Sequence, residues 1–155
     1  MYYSFVDTPA GTLLFTGDDK IITGIYWQVY KRTPVVGADW VEDRNVFKEA
    51  IRQLEEYFAG TRHSFTFVHQ SKGTPFQKSV WRELAKIPYG DHTSYKKIAE
   101  AIGNPKAVRA VGTAVGSNPI SIVVPCHRVL TTTGKLGGYA GGGKAKSFLL
   151  GLERS

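Results

Sequence analysis

At 155 residues, with 42% hydrophobic and 21% charged positions, the chain can bury one core, or two small cores that lean on each other. One cysteine, Cys126, and four histidines, His63, His69, His92 and His127, exclude a disulfide framework and a closed Cys/His zinc site, so no metal and no cofactor is expected. The formal charge of +7 is unevenly laid: residues 1–70 carry 7 Lys/Arg against 9 Asp/Glu, and residues 71–155 carry 13 against 4. The basic second part suits a polyanion, because Lys and Arg that neutralise phosphates release counterions. A solvated basic surface explains the same excess equally well. No apolar run approaches the ~20 residues that span a bilayer, and the start MYYSFVDT does not read as a signal peptide. The expectation is a reducing, cytoplasmic setting with no membrane partner.

In chain order, YYSFVDTPAGTLLFTGDDKIITGIYW reads as a meander of strands broken by turn signals at Pro9-Ala10-Gly11 and Gly17-Asp18-Asp19. Val46, Phe47, Ile51, Leu54, Tyr57 and Phe58 then recur at helical spacing, and Gly60 stands where a C-cap would stop the helix. SFTFV, 64–68, reads as one more strand. Nothing in residues 1–70 has catalytic texture, and they are expected to form a small structural domain.

After residues 70–73 the pattern turns helical. Thr74-Pro75-Phe76-Gln77 is a capping box with proline at the first helical position, followed by Val80, Leu84 and Ile87 on one apolar face. A second helix starts near Ser94, carries Tyr95, Ile98, Ala99 and Ile102 on one side, and stops at Gly103. A third starts near Pro105 and points Val108, Val111 and Val115 inward. The two short helices with their glycine turn form a helix-turn-helix pattern. The expected outward face of the third, Lys106, Arg109, Ala110, Gly112, Thr113, Ala114 and Gly116, has one long cation among small residues. Base-edge reading needs several polar side chains, so this face fits close, sequence-neutral contact with nucleic acid; close helix packing through Ala and Gly is the alternative.

Cys126 lies in IVVPCHRVL, 122–130. ISIVV, 120–124, reads as a short buried strand that Pro125 ends, since proline has no N–H to donate. Neighbours along a strand point to opposite faces, so contact between Cys126 and His127 needs a turn or a bridging water. A free cysteine can be merely a small buried hydrophobe, but an adjacent imidazole can take its proton and nearby positive charge can lower its pKa. Downstream, Gly137, Gly138 and Gly141–Gly143 form a loop around Tyr139 with little bulk to exclude a planar ligand. GGGKAK is not a P-loop. The last helix, from about Lys144, ends with Glu153, the only acid after Glu100, and so the only late candidate to orient His127 in a triad-like relay.

NPISIVVPCHRV, with RAVGTAVGS and GTPFQKSVWRELAKIPYG before it, resembles the O6-alkylguanine-DNA alkyltransferase family, the methylated-DNA-protein-cysteine methyltransferases, from about Gly73 to Glu153. Residues 1–70 resemble that family's variable N-terminal domain only in length and pattern. The resemblance implies an α+β protein: a β-meander plus helix domain over 1–70, then a mostly helical domain over 71–155 with a winged helix-turn-helix-like unit. It implies that Cys126 accepts the alkyl group, His127 is its water-bridged base, Glu153 orients His127, and Asn118 ties the helix-turn-helix to the active-site segment. Tyr95 would help rotate the target nucleotide and donate to the leaving guanine. The guanine pocket would use carbonyls of Cys126 and Val129 and the N–H of Ala140, together with Tyr139 and Lys146. Some relatives carry serine at the position of Ala140, so only backbone help is expected there, and the zinc-binding cysteines of some relatives are missing. Arg109 would be the finger that fills the gap left by a flipped base, and Lys106, Ala107, Gly112, Thr113, Gly116, Ser117 and Arg128 would complete the DNA-binding set.

The implied activity is single-turnover transfer from O6-alkylguanine in double-stranded DNA to the cysteine, with base flipping, minor-groove docking and little sequence preference. A monomer is the expected working state; repair of O4-alkylthymine and cooperation between molecules on DNA stay open. Two rivals remain. A non-catalytic helix-turn-helix regulator accounts for the basic half but not for PCHR, and a Cys-His-Glu hydrolase accounts for Cys126, His127 and Glu153 but not for Arg109 on a small-residue helix.

Overall fold

The computed structural model describes residues 1–155. Its sheet contains β1 (Tyr2–Thr8), β2 (Gly11–Gly17), β3 (Ile22–Trp27) and β4 (Val41–Glu42) in the order β3-β2-β1-β4. The first three strands form the expected antiparallel meander. Local side-chain bonds close its turns: Thr8 Oγ1 accepts from Ala10 N, and Asp18 Oδ1 accepts from the N–H groups of Lys20 and Ile21. The two-residue β4, which no sequence signal announces, pairs parallel with β1. Residues 64–68 do not form the expected strand. Thr66 N donates instead to Oε1 of the buried Gln53, 2.9 Å away, and only a bridge between Ile22 and His69 reaches the sheet. Helix α1 (Lys48–Phe58) lays Ala50, Ile51, Leu54 and Tyr57 against this sheet, and Gly60, at φ +82°, ends it as expected.

In the second half, α2 (Pro75–Ala85) opens with the capping box: Thr74 Oγ1 accepts from Gln77 N, and Gln77 Oε1 accepts from Thr74 N. The two-residue strand β5 (Thr93–Ser94) leads into α3 (Tyr95–Ala101), which Ser94 caps. A turn at Gly103 leads to α4 (Val108–Gly116), completing the helix-turn-helix. β6 (Val129–Leu130) pairs parallel with β5, and α5 (Gly143–Arg154) closes the chain. Two positions on α4 differ from expectation. Ala114, expected outside, is buried because the Trp81 indole packs there and donates to its carbonyl. Val108, expected inside, is 36% exposed.

ISIVV is buried but is not a strand. Only Ile120 makes a bridge, to Ile25, and residues 121–123 turn. Ile122 sits at φ +71°, a conformation that costs a β-branched residue on the order of 1–3 kcal/mol. Asn118 holds the turn shut: its Nδ2 donates to Val124 O at 2.7 Å, and its Oδ1 accepts from Ile120 N at 3.0 Å. Strand β3 holds it from the other side. Ile25 N donates to Pro119 O at 2.8 Å, and Ser121 N donates to Ile25 O at 3.0 Å. One apolar core runs through both halves, with Ile25 and Trp27 in the same cluster as Ile120, Cys126 and Leu149. The first half therefore supports the segment that leads into Cys126.

Candidate active site

Cys126 opens a single 3-10 turn, Cys126–Arg128, rather than ending a strand. The buried residue lines a cavity of about 590 Å³. Val108, Gly112, Val115 and Gly116 of α4 form one wall; Thr131, Thr132 and the loop Gly137–Ala140 form another; Tyr95, Asn118 and Tyr30 complete it. The small residues of α4 thus serve the cavity as well as the surface. Gly137, at φ +71°, passes so close to Tyr95 that a Cβ there would lie 3.3 Å from the phenol oxygen. Tyr30, Thr131 and Thr132 carried no sequence signal as cavity residues.

The turn that presents Cys126 sends the His127 imidazole the other way, into full burial. There Nε2 lies 2.7 Å from Glu153 Oε2. Glu153 is the centre of a buried cluster: Tyr57 donates to Oε2 at 2.5 Å, Arg128 Nε donates to Oε1 at 2.7 Å, and Arg128 Nη2 donates to Oε2 at 3.0 Å. Burial alone would push this carboxyl up, but the hydrogen bonds from His127 and Arg128 outweigh it and hold the group at about 2. Burial holds the His127 imidazole below its ordinary range, against the pull of Glu153. An ionised Glu153 accepts, so Nε2 carries the hydrogen of the neutral ring and Nδ1 carries the lone pair. Nδ1 is buried and has no hydrogen-bond partner in the protein.

Two expectations about charge and placement are corrected. Arg128 is not a surface cation: it is buried, two of its nitrogens bind Glu153, and Nη1 donates to Ile87 O at 2.6 Å. Its guanidinium is thus turned into the protein and is not among the groups that lower the thiol pKa; burial pushes the Cys126 thiol up, opposed by Asn118, the Lys146 charge and the Tyr139 hydroxyl. Lys146 is fully buried and donates to the carbonyls of Leu136 and Gly138, so it tethers the glycine loop instead of lining the cavity. Burial brings it down to about 8. Val129 is buried in the β5–β6 ladder opposite Thr93; the expectation for it concerned its carbonyl and not its side chain.

Of the remaining DNA-binding candidates, Lys106, Arg109 and Thr113 are exposed, and neither cation has an ion-pair partner. Ala107 is partly exposed at the start of α4. Ser117 turns its hydroxyl inward, donating to Ala114 O and accepting from Gln77 Nε2. The first half contributes more than expected: Tyr57 reaches Glu153, Tyr30 donates to Gly116 O at 3.0 Å, and Trp27 Nε1 donates to the Tyr139 hydroxyl at 3.0 Å.

A helix-turn-helix whose second helix walls a cavity floored by a lone thiol, with a His-Glu pair behind it, defines a protein that performs cysteine chemistry beside a DNA-binding type of helix. Comparison with known proteins is specific. Residues 75–155 match the DNA-binding domain of 6-O-methylguanine DNA methyltransferase, and residues 1–69 match its ribonuclease-like domain. The chain belongs to the 6-O-methylguanine DNA methyltransferase family. It is 50% identical to the methylated-DNA–protein-cysteine methyltransferase of Methanosarcina acetivorans, covering 100% of this chain and 99% of that one. It is 45% identical to the constitutive enzyme of that name from Bacillus subtilis, over 99% and 95%. The crystal structure of Mycobacterium tuberculosis OGT in complex with DNA matches with a TM-score of 0.93 at 42% identity, covering 99% of this chain and 93% of that chain.

Proposed function

We propose that Cys126 is the residue at which this chain carries out its family's reaction. The chain repairs DNA by transferring a methyl group from O6-methylguanine directly to a cysteine, and Cys126 is its single cysteine. The observation that carries the assignment is the position of this thiol in the cavity between α4 and the glycine loop. In the proposed step the sulfur attacks the alkyl carbon, an S–C bond forms, the C–O6 bond breaks and its electron pair remains with guanine. The thiol proton passes through a water to Nδ1 of His127. Tyr95, whose ring lines the same cavity, gives its phenolic proton to the departing base and is reprotonated, by way of solvent, with the proton that His127 took from the thiol, so the net transfer exchanges the thiol proton for an alkyl group. The thioether offers no easy route back, which makes the protein a single-turnover reagent.

A thiol that burial keeps protonated at rest resists adventitious electrophiles, and a neutral His127 is ready to take its proton once substrate arrives. Glu153 fixes the imidazole tautomer; Arg128 and Tyr57 keep Glu153 ionised and in place. Double-stranded DNA is the partner. We assign Arg109 as the wedge that replaces a flipped nucleotide, with Lys106, Ala107, Gly112, Thr113 and Gly116 bringing α4 against the minor groove with little sequence preference. The protein works as a monomer in this account, in the cytoplasm; no helix is long and apolar enough to cross a membrane. Residues 1–70 act as a scaffold for a site built mostly by residues 71–155, to which Tyr30 and Tyr57 also contribute. A Cys126→Ala variant tests the central assignment: it should bind methylated duplex DNA as the parent does and remove no methyl group. Methyl removal by that variant would overturn it.

A further inference from the structure

We propose that Tyr30, from the first half of the chain, is a specificity-determining residue of the site: its ring is the wall that limits how large a group on guanine O6 can lie against Cys126. It is the one residue of the first half that lines the cavity. Its hydroxyl donates to the carbonyl of Gly116 at 3.0 Å, on the last residue of α4, and Gly116 lines the same cavity. Two tight turns fix the backbone around it. Tyr30 N donates to Trp27 O and Thr33 N donates to Tyr30 O, both at 3.1 Å, and Thr33 Oγ1 donates to the same Trp27 carbonyl at 2.6 Å. The half-buried ring packs against the common core, so it is held by its backbone in one half and by its hydroxyl on the other.

The placement of Tyr30 decides which part of the substrate meets it. Tyr95, which serves the departing base, meets α4 at its middle, where a Cβ on Gly112 would lie 3.9 Å from the Tyr95 ring. Tyr30 meets α4 at Gly116, four residues further on and ~6 Å along the axis. That end is the thiol end. Two residues past Gly116, Asn118 Nδ2 donates to Val124 O at 2.7 Å, and the same carbonyl accepts from Cys126 N at 2.8 Å. A group that must touch the sulfur therefore lies on the side of the base toward Tyr30. A methyl group needs little room there, whereas an aralkyl group such as benzyl must place a second ring against the anchored phenol. Apolar pockets discriminate between groups of different size by roughly tenfold or more through such crowding.

This role rests on the reading of Cys126 as acceptor, and one experiment separates the two. The parent, Tyr30→Ala and Tyr30→Phe are reacted in single turnover with duplex DNA carrying O6-methylguanine or O6-benzylguanine, and the mass added to the Cys126 peptide is followed in time. A parent left unlabelled at Cys126 defeats the acceptor reading and the role of Tyr30 with it. With a labelled parent, the ratio of benzyl to methyl rates tests Tyr30 alone, because changes in DNA binding, base flipping, thiol reactivity or folding act on both adducts and cancel. Tyr30→Ala should raise the ratio by about tenfold or more. Tyr30→Phe, which keeps the ring but loses its hold on Gly116, should raise it less. A ratio unchanged in Tyr30→Ala, or raised as far by Tyr30→Phe as by Tyr30→Ala, overturns the proposal. Should the alanine variant not fold, Tyr30→Leu trims the ring while keeping an apolar side chain against the core, and the same rise or its absence decides.

Discussion

In the proposed mechanism His127 and Glu153 act on the thiol from behind it. The 2.7 Å contact between them and the three further hydrogen bonds that Tyr57 and Arg128 make to Glu153 determine which imidazole nitrogen is basic. If His127 is the base, as proposed, His127→Ala should slow transfer by roughly 10²- to 10⁴-fold, the range of general-base contributions, in a single-turnover assay. An unchanged rate would leave His127 as a core residue only. Glu153→Gln has a second effect, because it leaves the Arg128 guanidinium buried without its counter-charge. Breaking a buried pair in this way costs roughly 3–5 kcal/mol, so a denaturant titration should show a large loss of stability beside any loss of rate. A variant as stable as the parent would show that the cluster does not depend on the Glu153 charge.

At the scale of elements, α4 presents its exposed cation, Arg109, beside glycines that wall the cavity. As a wedge, Arg109→Ala should slow repair of duplex DNA far more than reaction with a free O6-alkylated guanine base, which needs no flipping. As a phosphate contact alone, it would weaken binding, lower the salt slope by about one unit and leave the rate at saturating DNA intact; a saturating rate equal to that of the parent contradicts the wedge. The helices were legible in the sequence because their signals are local: the Thr74 capping box, the Ser94 cap, and Gly60 and Gly103 at helix ends. The meander was legible for the same reason. What was not legible depends on distant partners. ISIVV has the composition of a strand, yet Asn118 and β3 bend it into a turn. SFTFV alternates as a strand should, yet the Gln53 amide takes the Thr66 N–H. The cluster around Glu153 was visible as Cys126, His127 and the last acid of the chain. Its support from Tyr57, and the withdrawal of Arg128 from the surface, became apparent only when residues about 25 to 96 positions apart met.

For the whole molecule, the halves are joined through the site and not merely through a neutral seam, since Tyr57 and Trp27 of the first half bond to Glu153 and Tyr139 of the second. Acid should therefore undo both fold and site. Glu153 is held at about 2 against an ordinary 4.5, and His127 is held below an ordinary 6.5. Both groups bind protons more readily in the unfolded chain, so stability rises with pH. The His127 contribution is complete above about pH 6.5 and fades below it; that of Glu153 is complete above about 4.5 and is lost on the way to about 2. Denaturation midpoints should fall as pH drops from 7.5 to 4, and midpoints that stay level would contradict the buried pair. The central claim, that the lone thiol is the acceptor, is tested most directly by incubating the protein with excess methylated duplex DNA and mapping the product by mass spectrometry. The account predicts one methyl-sized increase per molecule, confined to the peptide that holds Cys126. A methyl group on any other residue, or repair of many equivalents by an unmodified protein, would contradict it.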